Sequence, residues 1–130
     1  MGLGNTYYDF QDLTIWKRGR GIRLRIEEIV KHLPRDEKYR LGDQLIRASR
    51  SVTALIAEGY GRYHFKENIQ FCRQARGSLF ELVDHLVVAR DNNYIEDSIF
   101  QELDTEIRTE IKEINGYIRY LSNQKERAVI

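Results

Sequence analysis

The sequence predicts an all-α fold, specifically an antiparallel up-down-up-down four-helix bundle. Three observations carry that expectation. Four segments repeat apolar residues at helical spacing. Strand-length alternating runs, internal repeats and low-complexity stretches are absent. The segments are joined by short connections marked by Pro34, by Gly59 and Gly61, and by "RDNNYIED". With 130 residues, the chain is long enough for one domain with a real core and short for two, so a single domain over 1–130 is expected.

The first helix is expected over about 9–32. Leu13, Trp16, Ile22, Ile26, Ile29, Val30 and Leu33 recur on one side, Asp9 is a candidate cap, and Pro34 stops the helix. Gly19 and Gly21 each lower helix propensity by roughly 1 kcal/mol relative to alanine. A close helix–helix approach explains one of them; flexibility is the alternative. The second helix is expected over about 36–58, with Leu41, Leu45, Ala48, Val52, Leu55 and Ile56 inward. Gly59 is expected as a left-handed C-cap, and Gly61 lets the chain reverse. The third helix, about 65–90, has an apolar arc filling half its wheel, from Phe65 and Ile69 through Cys72, Leu79 and Phe80 to Val87 and Ala89. A core-facing stripe needs less. The surplus points to a second contact surface, most simply another subunit, or else to an oversized contact with the first helix. After the Asn- and Asp-rich turn, the fourth helix runs over about 97–122 on Ile99, Leu103, Ile107, Ile111, Ile114, Ile118 and Leu121. The tail from Asn123 is expected to fray.

Composition narrows the class. Hydrophobic residues make up 42% and charged residues 32%, a soluble balance with a heavily charged surface. No apolar run approaches the length of a membrane span, and "MGLGNTYYDF" lacks the regions of a secretory signal or a full myristoylation context. The single cysteine, Cys72, excludes an internal disulfide and fits a reducing cytoplasm. The net charge of +1 hides an asymmetry. Residues 1–76 hold fifteen Lys/Arg against nine Asp/Glu, a balance of +6; residues 77–130 hold six against eleven, a balance of −5. Two readings follow: the first half is a polyanion-binding surface, or the two halves attract each other within the fold.

No catalytic, metal or cofactor site is expected. A di-iron bundle needs Glu-x-x-His pairs, whereas Glu28/His32 and Glu81/His85 are four apart, and His64 with Glu67 supplies only two ligands. Cys72 lies on the apolar arc with no histidine placed to activate it. "GYGR" follows no strand, so it is neither a dinucleotide nor a phosphate loop.

The charged groups around the Gly59 break are more telling. Arg47, Ser51, Ala54 and Glu58 share one face of the second helix, and Arg62 follows across the turn. Arg47, Glu58 and Arg62 are expected to form a structural ion network. The other reading has Glu58 orienting arginines towards phosphate. Candidate phosphate contacts are Lys17, Arg18, Arg20 and Arg25 on the first helix, Arg40 and Arg50 on the second, and Arg62, Lys66 and Arg73 beyond the turn. Tyr60 and Tyr63 either stack on bases or cover the end of the bundle.

"DFQDLTIWKRG", "LGDQLIRASRSVTALIAEGYGR" and "FCRQARGSLFELVDHLVVA" together resemble the four-helix-bundle proteins encoded in 23S rRNA intervening sequences. The resemblance runs from about Phe10 to Leu121 and rests on Gln44, Arg47, Ala48, Ile56 to Gly59, Gly61-Arg62, Gly77 to Leu79 and Glu81. It implies a small antiparallel bundle assembled as a homopentameric ring, with RNA or DNA binding inferred from gene location and a basic surface. A more distant resemblance, to the accessory protein of diversity-generating retroelements, implies a basic pentamer that binds nucleic acid and its reverse transcriptase. Three positions depart from the family pattern: Leu55 stands for Asn, His64 for a Ser cap and Asn68 for Phe. They cluster beside the glycine break and hint at a locally altered partner surface. The expected function is therefore a cytoplasmic, non-enzymatic, oligomeric bundle that binds structured RNA or DNA. The alternative is a protein-interaction scaffold whose basic residues serve subunit or partner contacts.

Overall fold

In a computed structural model, residues 8–124 are described, and they form four long helices. The expectations for the N-terminal leader and for the last six residues of the tail fall outside that range. A 3-10 turn, Phe10–Asp12, precedes α1 (Thr14–Lys31); α2 (Leu41–Tyr60), α3 (Phe65–Asp91) and α4 (Asp97–Ser122) follow. There is no strand among the described residues, and none of the helices is long and apolar enough to cross a membrane.

Cross-helix pairs fix the arrangement. Arg18 meets Glu113 and Arg25 meets Glu106, so α1 and α4 run antiparallel. Gly19 lies against Thr53 and Gly42 against Val30, which sets α2 antiparallel to α1. Ser51 bonds Ser78 while Gly59 abuts Phe71, and Arg76 bonds Asn115 while Arg90 reaches Asp97; both successive pairs are antiparallel. Each helix touches its two neighbours, and α1 does not touch α3, nor α2 α4. The shared core holds Ile26, Leu45, Ile56, Leu79, Leu82, Leu86, Leu103, Ile107 and Ile114, all essentially without solvent contact.

Two helix starts differ from expectation. Asp9 does not cap α1. Its backbone N–H donates to Asp12 Oδ2 at 2.9 Å, and extended Leu13 separates the 3-10 turn from the helix. α2 starts at Leu41, five residues later than its charge pattern suggested. Residues 35–40 form turns, with the Gly42 N–H donating to the Glu37 carbonyl at 2.8 Å and the Tyr94 hydroxyl donating to Glu37 Oε2 at 2.8 Å.

The expected left-handed C-cap at Gly59 is wrong. No described glycine has positive φ, and α2 continues through Gly59 to Tyr60. Gly59 is there for space. A Cβ on it would lie 2.7 Å from Asn68 Oδ1 and 2.9 Å from Phe71 Cβ, so α3 can cross this close only over a glycine. Gly61 caps α2 in ordinary right-handed geometry, donating to the Ala57 and Glu58 carbonyls. The left-handed residue is instead Asn93, at φ 62°, after α3. There the Tyr94 N–H bonds the Ala89 carbonyl and the Asn93 N–H bonds the Arg90 carbonyl, a Schellman motif.

The core also contains one acid. Glu110 on α4 is 0% exposed, and neither carboxylate oxygen has a hydrogen-bond partner. It lies beneath Gly19, where a Cβ would be 3.2 Å from Glu110 Oε2 and 3.3 Å from Thr53 Cγ2. Close approach therefore explains Gly19. Gly21 has nothing within 4 Å of a Cβ and no such reason inside the chain. Burial, reinforced by the Glu113 charge and opposed by Arg18, pushes Glu110 from 4.5 up to about 8, so it is neutral at pH 7.

Two outcomes are expected. Gly59→Ala should destabilise the fold by ~1–3 kcal/mol in urea unfolding, because overpacking outweighs the helix-propensity gain of roughly 1 kcal/mol. A variant as stable as wild type would contradict the close approach. For Glu110 the folded state holds its proton more tightly than the unfolded chain. Its stabilising contribution is complete below 4.5 and is lost as pH rises through about 8. The urea midpoint of Glu110→Gln should therefore gain on wild type steadily between about pH 5 and about pH 9. A gap independent of pH would rule this out.

Candidate nucleic-acid interface

The basic residues of the first half divide into two groups once folded. Arg18 Nη2 pairs with Glu113 at 2.9 Å, and Arg25 bridges Glu102 at 3.1 Å and Glu106 at 3.4 Å. These contacts close α1 on α4. Much of the charge asymmetry is thus used inside the chain, where basic α1 meets acidic α4. Arg50 reaches Glu27 at 3.6 Å, and Arg73 donates to Gln70 at 2.9 Å.

Arg62 locks the α2–α3 turn. One guanidinium nitrogen pairs with Glu58 at 2.9 Å, the other approaches Glu67 at 3.8 Å, and the group stands over the Phe71 ring at 4.9 Å. Arg47 does not join this network. It lies eleven residues before Glu58 on one helix, about 16 Å along the axis, beyond side-chain reach. It is instead exposed, with no ion-pair partner among the described residues. The pairs at the turn are half-exposed, so each contributes at most ~1 kcal/mol.

Lys17, Arg20, Arg40 and Lys66 are also exposed and carry no ion-pair partner among the described residues. They do not form one patch: Lys17 and Arg20 lie on the outer side of α1, Lys66 on α3, and Arg40 on α2. Arg40 and Arg47 share the outward face of α2, two turns and about 10 Å apart. Arg35 and Lys38, in the loop that leads into α2, extend that face; both are exposed and unpaired among the described residues. Tyr39 between them is 79% exposed. Sequence reasoning passed over Arg35 and Lys38 because it placed "RDEKYR" inside the helix. Three bases within six residues around an aromatic were the available signal.

Tyr60 covers the bundle end rather than offering a free ring. It is half-buried, its hydroxyl donates to the Tyr8 carbonyl at 2.8 Å, and it lines a cleft of about 590 Å³ with Phe65, Asn68, Tyr117 and Tyr120. Tyr63 is 42% exposed and packs edge-on against His64. Of the three departures, Leu55 packs on the core and His64 is the α3 N-cap without a side-chain capping bond. Asn68 is buried, its amide donating to the Tyr117 hydroxyl at 3.3 Å and its oxygen accepting from Cys72 Sγ at 3.6 Å.

Cys72 is buried and its thiol is pushed up to about 12 by desolvation, so it is not a thiolate at neutral pH. Glu28/His32 and Glu81/His85 are surface pairs, at 3.7 and 3.1 Å. No group of three or more potential metal ligands converges among the described residues.

No curated protein matches the chain. A family model described as 23S rRNA-intervening sequence protein matches residues 11–116. Its span covers most of α1 to α4, and the all-α four-helix architecture agrees with it. The chain therefore belongs to the 23S rRNA-intervening sequence protein family.

Proposed function

We propose that this chain is a non-enzymatic, cytoplasmic homo-oligomer, a pentameric ring by family resemblance, that binds structured RNA through the outward face of α2 and the loop before it. The observation that carries the reading is the set Arg35, Lys38, Arg40 and Arg47: four exposed cations on adjoining surface, unpaired among the described residues, beside the exposed Tyr39 ring. Guanidinium and ammonium groups on such a surface neutralise phosphates and release counterions, which gives affinity with little base preference. Tyr39 can stack on an unpaired base. Repetition of the face around a ring adds weak contacts through multivalency.

A second reading has its own support. Arg18, Arg25, Arg50 and Arg62 all serve carboxylates within the chain, as expected if bases in this bundle act structurally. The protein would then be a scaffold for a protein partner, such as a reverse transcriptase.

Fluorescence titration separates the two. Wild type should bind structured RNA, and single-stranded DNA less tightly, with affinity falling steeply as salt rises. Arg40→Glu/Arg47→Glu should weaken binding at least tenfold and lower the log–log salt slope by roughly 2. Lys112→Glu/Arg119→Glu, on the opposite helix α4, should leave it nearly unchanged. Both variants must keep wild-type helicity and assembly state. Absence of binding at low salt, or binding untouched by the α2 reversal, favours the scaffold.

A further inference from the structure

Five buried or half-buried helix contacts explain their residues from within the chain, but two glycines do not fit. Gly21 on α1 and Gly77 on α3 have nothing within 4 Å of a built Cβ. Gly19, Gly42 and Gly59 all meet neighbouring helices within 3.2 Å. Each open glycine costs its helix roughly 1 kcal/mol relative to alanine, with no return inside the protomer.

Both are flanked on the same outward face by large apolar side chains. Gly21 sits between Lys17 and Leu24, and Leu24 is 44% exposed; Gly77 neighbours Phe80, 47% exposed, on a line that continues to Asp84 and Val88, 38% exposed. The outward faces of α2 and α4 have no equivalent pairing of an open glycine and an aliphatic or phenyl side chain among the described residues. The charges on the two faces are of opposite sign. Lys17 and Arg20 are unpaired on the α1 face, and Asp84 is unpaired beside Glu81 on the α3 face. The faces also lie at similar heights. Gly19 is level with Thr53 and Ser51 is level with Ser78, which places Gly21 and Gly77 within about one turn of each other along the bundle.

α1 and α3 are diagonal in the bundle and do not touch, so these faces point in opposite directions. One protomer cannot bring them together, and a two-fold pair would set each face against itself. We infer that the α1 face around Gly21 and Leu24 docks on the α3 face around Gly77 and Phe80 of a second copy of this chain, a head-to-tail contact that propagates into a closed ring. The glycines let two parallel helices approach closely, Leu24 covers Phe80, and Arg20 reaches the Glu81–Asp84 pair. A repeated head-to-tail contact closes when its rotation divides a full turn. The inference rests on the oligomeric part of the proposed function and names the surfaces that build it.

The test uses two variants, each spoiling one face: Leu24→Glu and Phe80→Glu. Both side chains are half-exposed, so circular dichroism should show wild-type helicity. In native mass spectrometry and sedimentation, wild type should be oligomeric and each variant should fall to the mass of one chain. An equimolar mixture should then form a one-to-one dimer and nothing larger. It retains one intact contact, between the α3 face of the Leu24→Glu chain and the α1 face of the Phe80→Glu chain, while the other junction sets glutamate against glutamate. Either variant keeping the wild-type assembly, or the mixture staying monomeric, overturns the pairing of these faces and leaves the oligomeric reading standing. A wild type that is itself monomeric overturns both.

Discussion

Close backbone approach at glycine sets the spacing of this bundle. Gly59 lets α3 cross α2 against Asn68 and Phe71, Gly42 seats the start of α2 on Val30 and Leu33, and Gly19 brings α1 down onto Thr53 and Glu110. Each contact leaves the neighbouring helix too near for any larger residue to be accommodated without movement. The leucine and isoleucine layers between the helices are therefore packed to a separation fixed by those contacts. The α2–α3 turn inherits its shape from the same constraint. With the helices already close at Gly59, four residues from Gly61 to His64 suffice to reverse the chain, and Arg62 ties both ends by way of Glu58 and Glu67.

The separation also governs the electrostatics. Because α1 lies against α4, Arg18 and Arg25 find the acids of α4, and the opposite charges of the two halves largely meet along that seam. Glu110 lies one turn from Glu113 but on the inward side, where burial keeps it protonated at neutral pH. A neutral acid there avoids the cost of an unpaired buried charge, and Gly19 leaves it room. What remains exposed and unpaired is unevenly placed: cations on α2 and its loop, cations on α1, and an acid on α3.

The four helices were legible in the sequence because core positions repeat at helical period over four long segments, and α3 and α4 lie very close to the expected ranges. Start points were less legible where charge and pattern disagree: residues 35–40 carry helix-compatible charges, yet Pro34 and the Tyr94–Glu37 bond hold them in turns. A glycine near a helix end has two physical uses, left-handed backbone and close approach, and sequence does not separate them. Here Asn93 took the first role and Gly59 the second. Spacing placed Arg47 and Glu58 on one face, but a shared face is not contact at about 16 Å. Glu110 was illegible because a single acid inside an apolar stripe reads as surface unless the facing helix is known.

Surface roles can then be assigned by elimination around the square of helices. A protomer has four outward faces, and their chemistry is not interchangeable. α1 and α3 carry the open glycines and exposed apolar groups, which gain from cover by protein. α2 carries cations and an aromatic loop residue, which gain from a polyanion and lose from burial against apolar surface. Since α1 and α3 are diagonal, contacts through them leave every α2 face on the same side of a closed assembly and every α4 face on the other. Segregating apolar and basic surface onto perpendicular faces thus lets subunit association and phosphate binding proceed without competing for the same residues. The acidic α4 seam, already engaged with α1, completes the separation by keeping the strongest negative charge of the chain away from the α2 face.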